Sequence, residues 1–125
     1  MKILVIDDEE IIRKLLLDVL KDDGHEVLSV SSGKETYEEF EKISFDLIFT
    51  DVYLQEINGV EILRKLKNLK KNLFVVLMES FPDLLAEEAK ENGALTCISK
   101  PFNLMEIRKV IQKIEYLKKG AEIGT

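Results

Sequence analysis

Apolar positions along the chain fall into two alternating rhythms. Short runs at Ile3 to Ile6, Glu26 to Val30, Phe45 to Asp51, Leu73 to Met78 and Ala94 to Ile98 read as strands, because they are brief and bounded by turn signals. Between them apolar residues recur at three and four positions, the period of a helix with one buried stripe. Ile11, Ile12, Leu15, Leu16, Val19 and Leu20 mark the first such helix, and Tyr37, Phe40 and Ile43 a short second one. Val60, Ile62, Leu63, Leu66 and Leu69 mark the third, with an outer face from Arg64 to Lys71 that reads as solvated. Leu84, Leu85 and Ala89 give a weak fourth helix over Leu84 to Asn92. A clear fifth stripe follows at Leu104, Ile107, Val110, Ile111, Ile114 and Leu117.

Punctuation agrees with this division. Gly24 is suited to a left-handed cap after the first helix, Ser31-Ser32-Gly33 and Asn58-Gly59 introduce the second and third, Asp83 can cap the fourth and Gly93 closes it. The tail from Lys118 reads as linker-like and frayed, which sets one domain over residues 1–119 and a short tail over 120–125. Strict strand-helix alternation with strands buried on both faces predicts a parallel sheet, since parallel neighbours need crossovers and the helices then cover the sheet.

Composition narrows the function. A chain of 125 residues suits one domain. Its net charge of −6, pI near 4.9 and lack of a long basic block argue against direct nucleic-acid binding. No apolar run approaches the ~18 residues of a membrane span. Met1-Lys2 leads straight into a strand without a leader pattern, and the single Cys97 offers no internal disulfide, so a cytoplasmic location is expected.

Candidate chemistry gathers at the carboxyl ends of the strands, where open parallel sheets place their functional crevice. Asp7-Asp8 ends the first strand, Asp51 the third, and Lys100 follows the fifth. If the strand order is 2-1-3-4-5, the three carboxylates converge beside Lys100. Clustered carboxylates repel one another, and a hard cation such as Mg²⁺, which takes oxygen ligands, is the natural compensation. A carboxylate between that cation and a lysine is placed to attack phosphorus and form an acyl phosphate.

The Asp7-Asp8-Glu9 run, Asp51 with its Asn58-Gly59 loop, and Lys100-Pro101-Phe102 together resemble the receiver domain of two-component response regulators, across nearly the whole chain. The resemblance implies a flavodoxin-like (βα)5 fold of the α/β class, with a five-stranded parallel sheet of order 2-1-3-4-5 and helices on both faces. It implies that Asp51 is the phosphoacceptor, with the phosphohistidine of a histidine kinase or phosphotransfer protein as donor. Asp8, Asp51 and the Tyr53 backbone carbonyl would bind Mg²⁺, Asp7 would do so through water, and Lys100 would pair with the transferred group. It also implies a cis Lys100-Pro101 peptide. The output would be a downstream target or an output domain outside this chain, with homodimerisation through the face of the fourth helix, fifth strand and fifth helix. Such a protein is an Mg²⁺-dependent acceptor rather than a turnover enzyme.

Three positions depart from the family pattern. A hydroxyl is expected at the end of the fourth strand, where Glu79 stands; counting back from Lys100 would select Met78, and Ser80 lies one residue late. The aromatic expected before the lysine is Cys97, and the loop proline is Gln55. These departures motivate a rival reading as a phosphorylation-independent interaction module. A phosphatase of the haloacid-dehalogenase type would need an acid two residues after Asp51, where Tyr53 stands, and a flavodoxin-like cofactor would meet repulsion from Asp7 to Glu10. His25 has no catalytic companion, and Cys97 reads as a small strand residue rather than a redox site.

Overall fold

The computed structural model describes residues 1–80 and 84–123. The strands are β1 (Lys2–Ile6), β2 (Glu26–Val30), β3 (Leu47–Asp51), β4 (Phe74–Glu79) and β5 (Thr96–Ser99). They alternate with α1 (Glu10–Asp22), α2 (Gly33–Lys42), α3 (Gly59–Leu69), α4 (Leu84–Glu91) and α5 (Leu104–Ile123). All strand pairings are parallel, in the order β2-β1-β3-β4-β5. The expected α/β architecture is therefore the one observed, down to the strand order.

Successive strand side chains point to opposite faces, and this splits the core in two. Ile3, Val5, Leu47, Phe49, Val76, Met78 and Ile98 pack on one face with Leu16 and Leu20 of α1 and Ile107, Ile111 and Ile114 of α5. Leu4, Ile6, Ile48, Val75 and Leu77 pack on the other with Ile62, Leu63 and Leu66 of α3 and, partly buried, Tyr37 and Phe40 of α2. The central β3 is buried at every position, whereas the edge strands β2 and β5 are largely half-buried, because each has a partner on one side only.

Polar side chains start the helices where the sequence signals them. Ser32 Oγ accepts from Glu35 N–H at 3.2 Å, Asn58 Oδ1 from Glu61 N–H at 3.0 Å and Asn103 Oδ1 from Glu106 N–H at 2.9 Å. Gly24 and Gly93, with φ of 93° and 98°, adopt the left-handed conformation that ends α1 and α4.

Several expectations need correction. Ile11 and Leu69 are 80% and 72% exposed and lie off the buried stripes to which the period assigned them. Ile11 lies in the first turn of α1 on the side away from the buried Leu16, Val19 and Leu20, and Leu69 is the last residue of α3. α5 runs as continuous helix past Lys119 to Ile123 rather than fraying from Lys118. The outer face of α3 is not simply solvated, since Lys67 Nζ donates to the Lys71 and Leu73 carbonyls at 2.9 Å each and Lys70 Nζ to Ser44 Oγ at 3.0 Å. The Asp83 cap lies outside the described residues, as do the side chains of Leu84 and Leu85.

Candidate phosphoacceptor site

Register brings the distant carboxylates together. Ile6 pairs with Thr50, so the residues that follow them, Asp7 and Asp51, leave adjacent strands side by side. Asp7 N–H donates to the Val30 carbonyl at 3.2 Å, which extends the β1–β2 ladder by one residue and fixes where its side chain emerges. On the other flank, Lys100 N–H donates to the Glu79 carbonyl and so sets Lys100 at the end of β5. The Lys100-Pro101 peptide is cis.

Asp7 is fully buried, and Asp51 is only 6% exposed. The Lys100 ammonium lies 2.7 Å from Asp7 Oδ2, 3.3 Å from Asp51 Oδ2 and 3.4 Å from Glu9 Oε1. One cation therefore serves three acids. Backbone N–H groups take part of the remaining charge, with Glu9 N–H donating to Asp7 Oδ1 at 2.9 Å and Tyr53 N–H to Asp51 Oδ1 at 3.2 Å.

The balance is incomplete. Burial pushes the Asp7 carboxyl above its usual value despite the hydrogen bond from Lys100, and burial likewise raises Asp51 against the pull of Lys100. Burial alone would lower Lys100, but its hydrogen bond to Asp7 and the charges of Asp7 and Asp51 outweigh this and hold the ammonium above its ordinary value. Carboxylate oxygens of Asp7, Asp8, Glu9 and Asp51 all lie within 4.8 Å of one another, with Asp8 and Glu9 open to solvent. An all-oxygen donor set with excess negative charge and an open side fits a hard divalent cation such as Mg²⁺.

Three contributors were not legible as site residues. Glu9 shares Lys100, although the sequence shows it only as one of a run of acids. Arg13 Nη1 donates to the Asp7 carbonyl at 2.7 Å and pins the loop from within α1. Gly59 reads as a turn residue, but its N–H donates to the Val52 carbonyl at 2.7 Å, and a Cβ there would stand 2.4 Å from the Asp51 carbonyl oxygen. Backbone cannot yield as a flexible side chain can, so only glycine fits beneath Asp51.

The atypical positions are also placed. Met78 is fully buried in the core beneath α1 and α5, so it is Glu79 that ends β4, 2% exposed and in register with Ser99. Ser80 is exposed. Cys97 is half-buried opposite Leu77, on the face covered by α2, α3 and α4. Tyr53 is 46% exposed and paired through an isolated antiparallel bridge to Asn58.

Comparison with known proteins agrees with this architecture. The model of the response regulator receiver domain matches residues 3–112. Sporulation initiation phosphotransferase F of Bacillus subtilis is 35% identical over 118 residues, spanning 94% of this chain and 95% of that protein. Longer curated transcriptional regulators match as well, and the chain spans 23% of one and 48% of another. A receiver domain protein from Clostridium thermocellum superposes with a TM-score of 0.87 at 33% identity, covering 94% of this chain and 96% of that one. The response regulator TrrA of Thermotoga maritima, solved in complex with Mg²⁺-BeF, gives a TM-score of 0.82 at 27% identity, covering 90% of this chain and 97% of that one. No helix among the described residues is long and apolar enough to cross a membrane. With the family's model spanning residues 3–112, a relative 35% identical over almost its whole length and the same fold in a solved receiver domain, the chain belongs to the receiver domains of two-component response regulators.

Proposed function

We propose that Asp51 accepts a phosphoryl group from the phosphohistidine of a histidine kinase or phosphotransfer protein, and that the modified domain then changes its binding to a target or output domain. The observation that carries this reading is the buried Asp51 carboxylate held between Lys100 and the acids Asp7, Asp8 and Glu9. Support comes also from the phosphotransferase named among the relatives and from the relative solved with Mg²⁺-BeF.

In this reading an Asp51 carboxylate oxygen attacks phosphorus, the phosphorus–nitrogen bond breaks, and its electron pair leaves with the donor imidazole, which takes up a proton. The Tyr53 N–H holds one Asp51 oxygen and so orients the carboxylate. Lys100, already 3.3 Å from Asp51, is positioned to pair with the phosphoryl oxygens. Asp8, Asp51 and the Tyr53 carbonyl would hold Mg²⁺, with Asp7 acting through water. When bound, the ion neutralises phosphoryl charge. The protein is then an acceptor that undergoes its own modification, working in the cytoplasm, rather than a turnover enzyme.

Incubation with acetyl phosphate and Mg²⁺, read by intact mass, should add one phosphoryl group to the wild type and none to Asp51→Asn. The buried Glu79 favours a second reading as a phosphorylation-independent interaction module. That reading gains if neither acetyl phosphate nor a cognate kinase adds mass. In the phosphorylated form Glu79 opposes the incoming charge, so Glu79→Thr should lengthen the lifetime of the acyl phosphate. An unchanged lifetime and conformational response would remove that role.

A further inference from the structure

At the opposite ends of the same strands lies a cavity of about 570 Å³, walled by the end of α3, the turn before β4, the segment before β5, and α5. Four lysines line it, Lys67, Lys70, Lys71 and Lys118, against one acid, Asp46. That acid is already engaged, since Asp46 Oδ2 accepts Lys2 N–H at 2.8 Å and Oδ1 accepts Lys118 Nζ at 3.1 Å. The cavity thus carries a local excess of positive charge in a chain of net charge −6.

The lysines differ in what they have left to offer. Lys67 and Lys70 are tied to carbonyls and to Ser44, whereas the exposed Lys71 ammonium has no hydrogen bond or ion pair among the described residues. Burial and the neighbouring charge of Lys71 hold Lys67 below its ordinary pKa, so the two cations repel each other across the cavity wall. Phe74, Leu95 and Leu117 supply apolar lining between them. The volume falls in the range of small-molecule sites, which combine apolar walls with a few placed polar groups.

We infer that this cavity binds a small organic anion, one with a flat apolar body and a phosphate, sulfonate or carboxylate group, at a place separate from the phosphoacceptor. The apolar body lies against Phe74, Leu95 and Leu117, and the anionic group lies near Lys71 and Lys118. An inorganic anion lacks the first contact and a neutral aromatic lacks the second, so each alone binds less well.

The test is an NMR titration of the full chain with naphthalene-1-sulfonate, beside inorganic phosphate and neutral naphthalene-1-methanol. Saturable shifts confined to residues 71–74, 93–95 and 117–118 are expected with the sulfonate, and binding at least about tenfold weaker with either control. Lys71→Glu should weaken the sulfonate about tenfold. Asp46→Asn, which keeps an acceptor for Lys2 N–H, should tighten it about threefold, the effect of one unit charge at several ångströms in water. Opposite responses from two variants with intact amide spectra cannot come from unfolding. Absence of saturable shifts, shifts centred elsewhere, equal binding of the neutral analogue, or affinities indifferent to both substitutions would each overturn the inference.

Discussion

The two ends of one parallel sheet carry opposite charge problems and solve them differently. At the carboxyl ends, Asp7, Glu9 and Asp51 share Lys100, with Asp8 beside them; at the amino ends, four lysines line a cavity together with one acid, Asp46. Backbone groups absorb part of the excess at both, N–H groups of Glu9 and Tyr53 at the acidic end and carbonyls of Lys71, Leu73 and Phe45 at the basic end. Burial makes the difference. Asp7 and Asp51 are almost wholly removed from water, so their charge leans on Lys100, while Lys71 is exposed and solvated. Buried charge at the acidic end needs a counter-ion close by, whereas water can carry the charge of the exposed Lys71 at the basic end.

The largest effect should come from removing the one shared cation. Lys100→Met, unfolded by urea in the presence of EDTA, should lose about 2–4 kcal/mol, because Asp7 and Asp51 are left buried without their counter-ion. Mg²⁺ should return more stability to this variant than to the wild type. If the variant is as stable as wild type in EDTA, the acidic end does not depend on Lys100.

The converse change should stabilise. Asp51→Asn keeps an acceptor for the Tyr53 N–H while removing a charge that burial disfavours, so the metal-free protein should gain about 1 kcal/mol, a few degrees in Tm. The gain should vanish as Mg²⁺ is added to both proteins.

Acid titration separates the two ends by sign. The Asp7 and Asp51 carboxyls are raised above 3.8, so their contribution in metal-free protein is fully present below that pH and is lost as pH rises through their folded values. For Asp46, burial would raise the carboxyl, but the bonds from Lys2 N–H and Lys118 outweigh it and hold the group below 3.8. Its contribution is therefore present above 3.8 and is lost as pH falls through its folded value. Asp46→Asn should flatten the acid-side loss measured by thermal melts in EDTA, and a profile identical to wild type would contradict the assignment.

Arg108, paired with Asp23 at 3.1 Å on the exposed flank between α1 and α5, belongs to neither end. Arg108→Ala should change stability by less than about 0.5 kcal/mol in the same assay, which calibrates the larger effects.

The comparison also shows what a sequence can disclose. β3 and its terminal Asp51 were legible because burial on both faces writes an uninterrupted apolar run, and the turn after it needs residues such as Asn58-Gly59. The convergence of Asp7, Asp8, Asp51 and Lys100 followed from strand order together with the family resemblance. Arg13 and Gly59 were hidden because their roles depend on the path of the backbone around the Asp7 and Asp51 carbonyls, which no local pattern records. The basic cavity was hidden for a related reason. Lys67, Lys70 and Lys71 look like a solvated helix face until the fold brings Asp46, Leu95 and Lys118 against them, and long aliphatic stems let lysines bend back toward carbonyls while the pattern stays polar. Ile11 and Leu69 mislead in the other direction, since periodicity does not report which apolar positions near a helix end are covered.

The central claim is that Asp51 is the group that becomes phosphorylated. Its most direct test is to treat the protein with acetyl phosphate and Mg²⁺, reduce the acyl phosphate with borohydride, and map the modified residue by peptide mass spectrometry. Conversion of residue 51 to homoserine, suppressed by EDTA and absent in Lys100→Met, is the predicted result. Conversion at Asp7, Asp8 or Glu9 instead, or no conversion at any acid, would contradict the account.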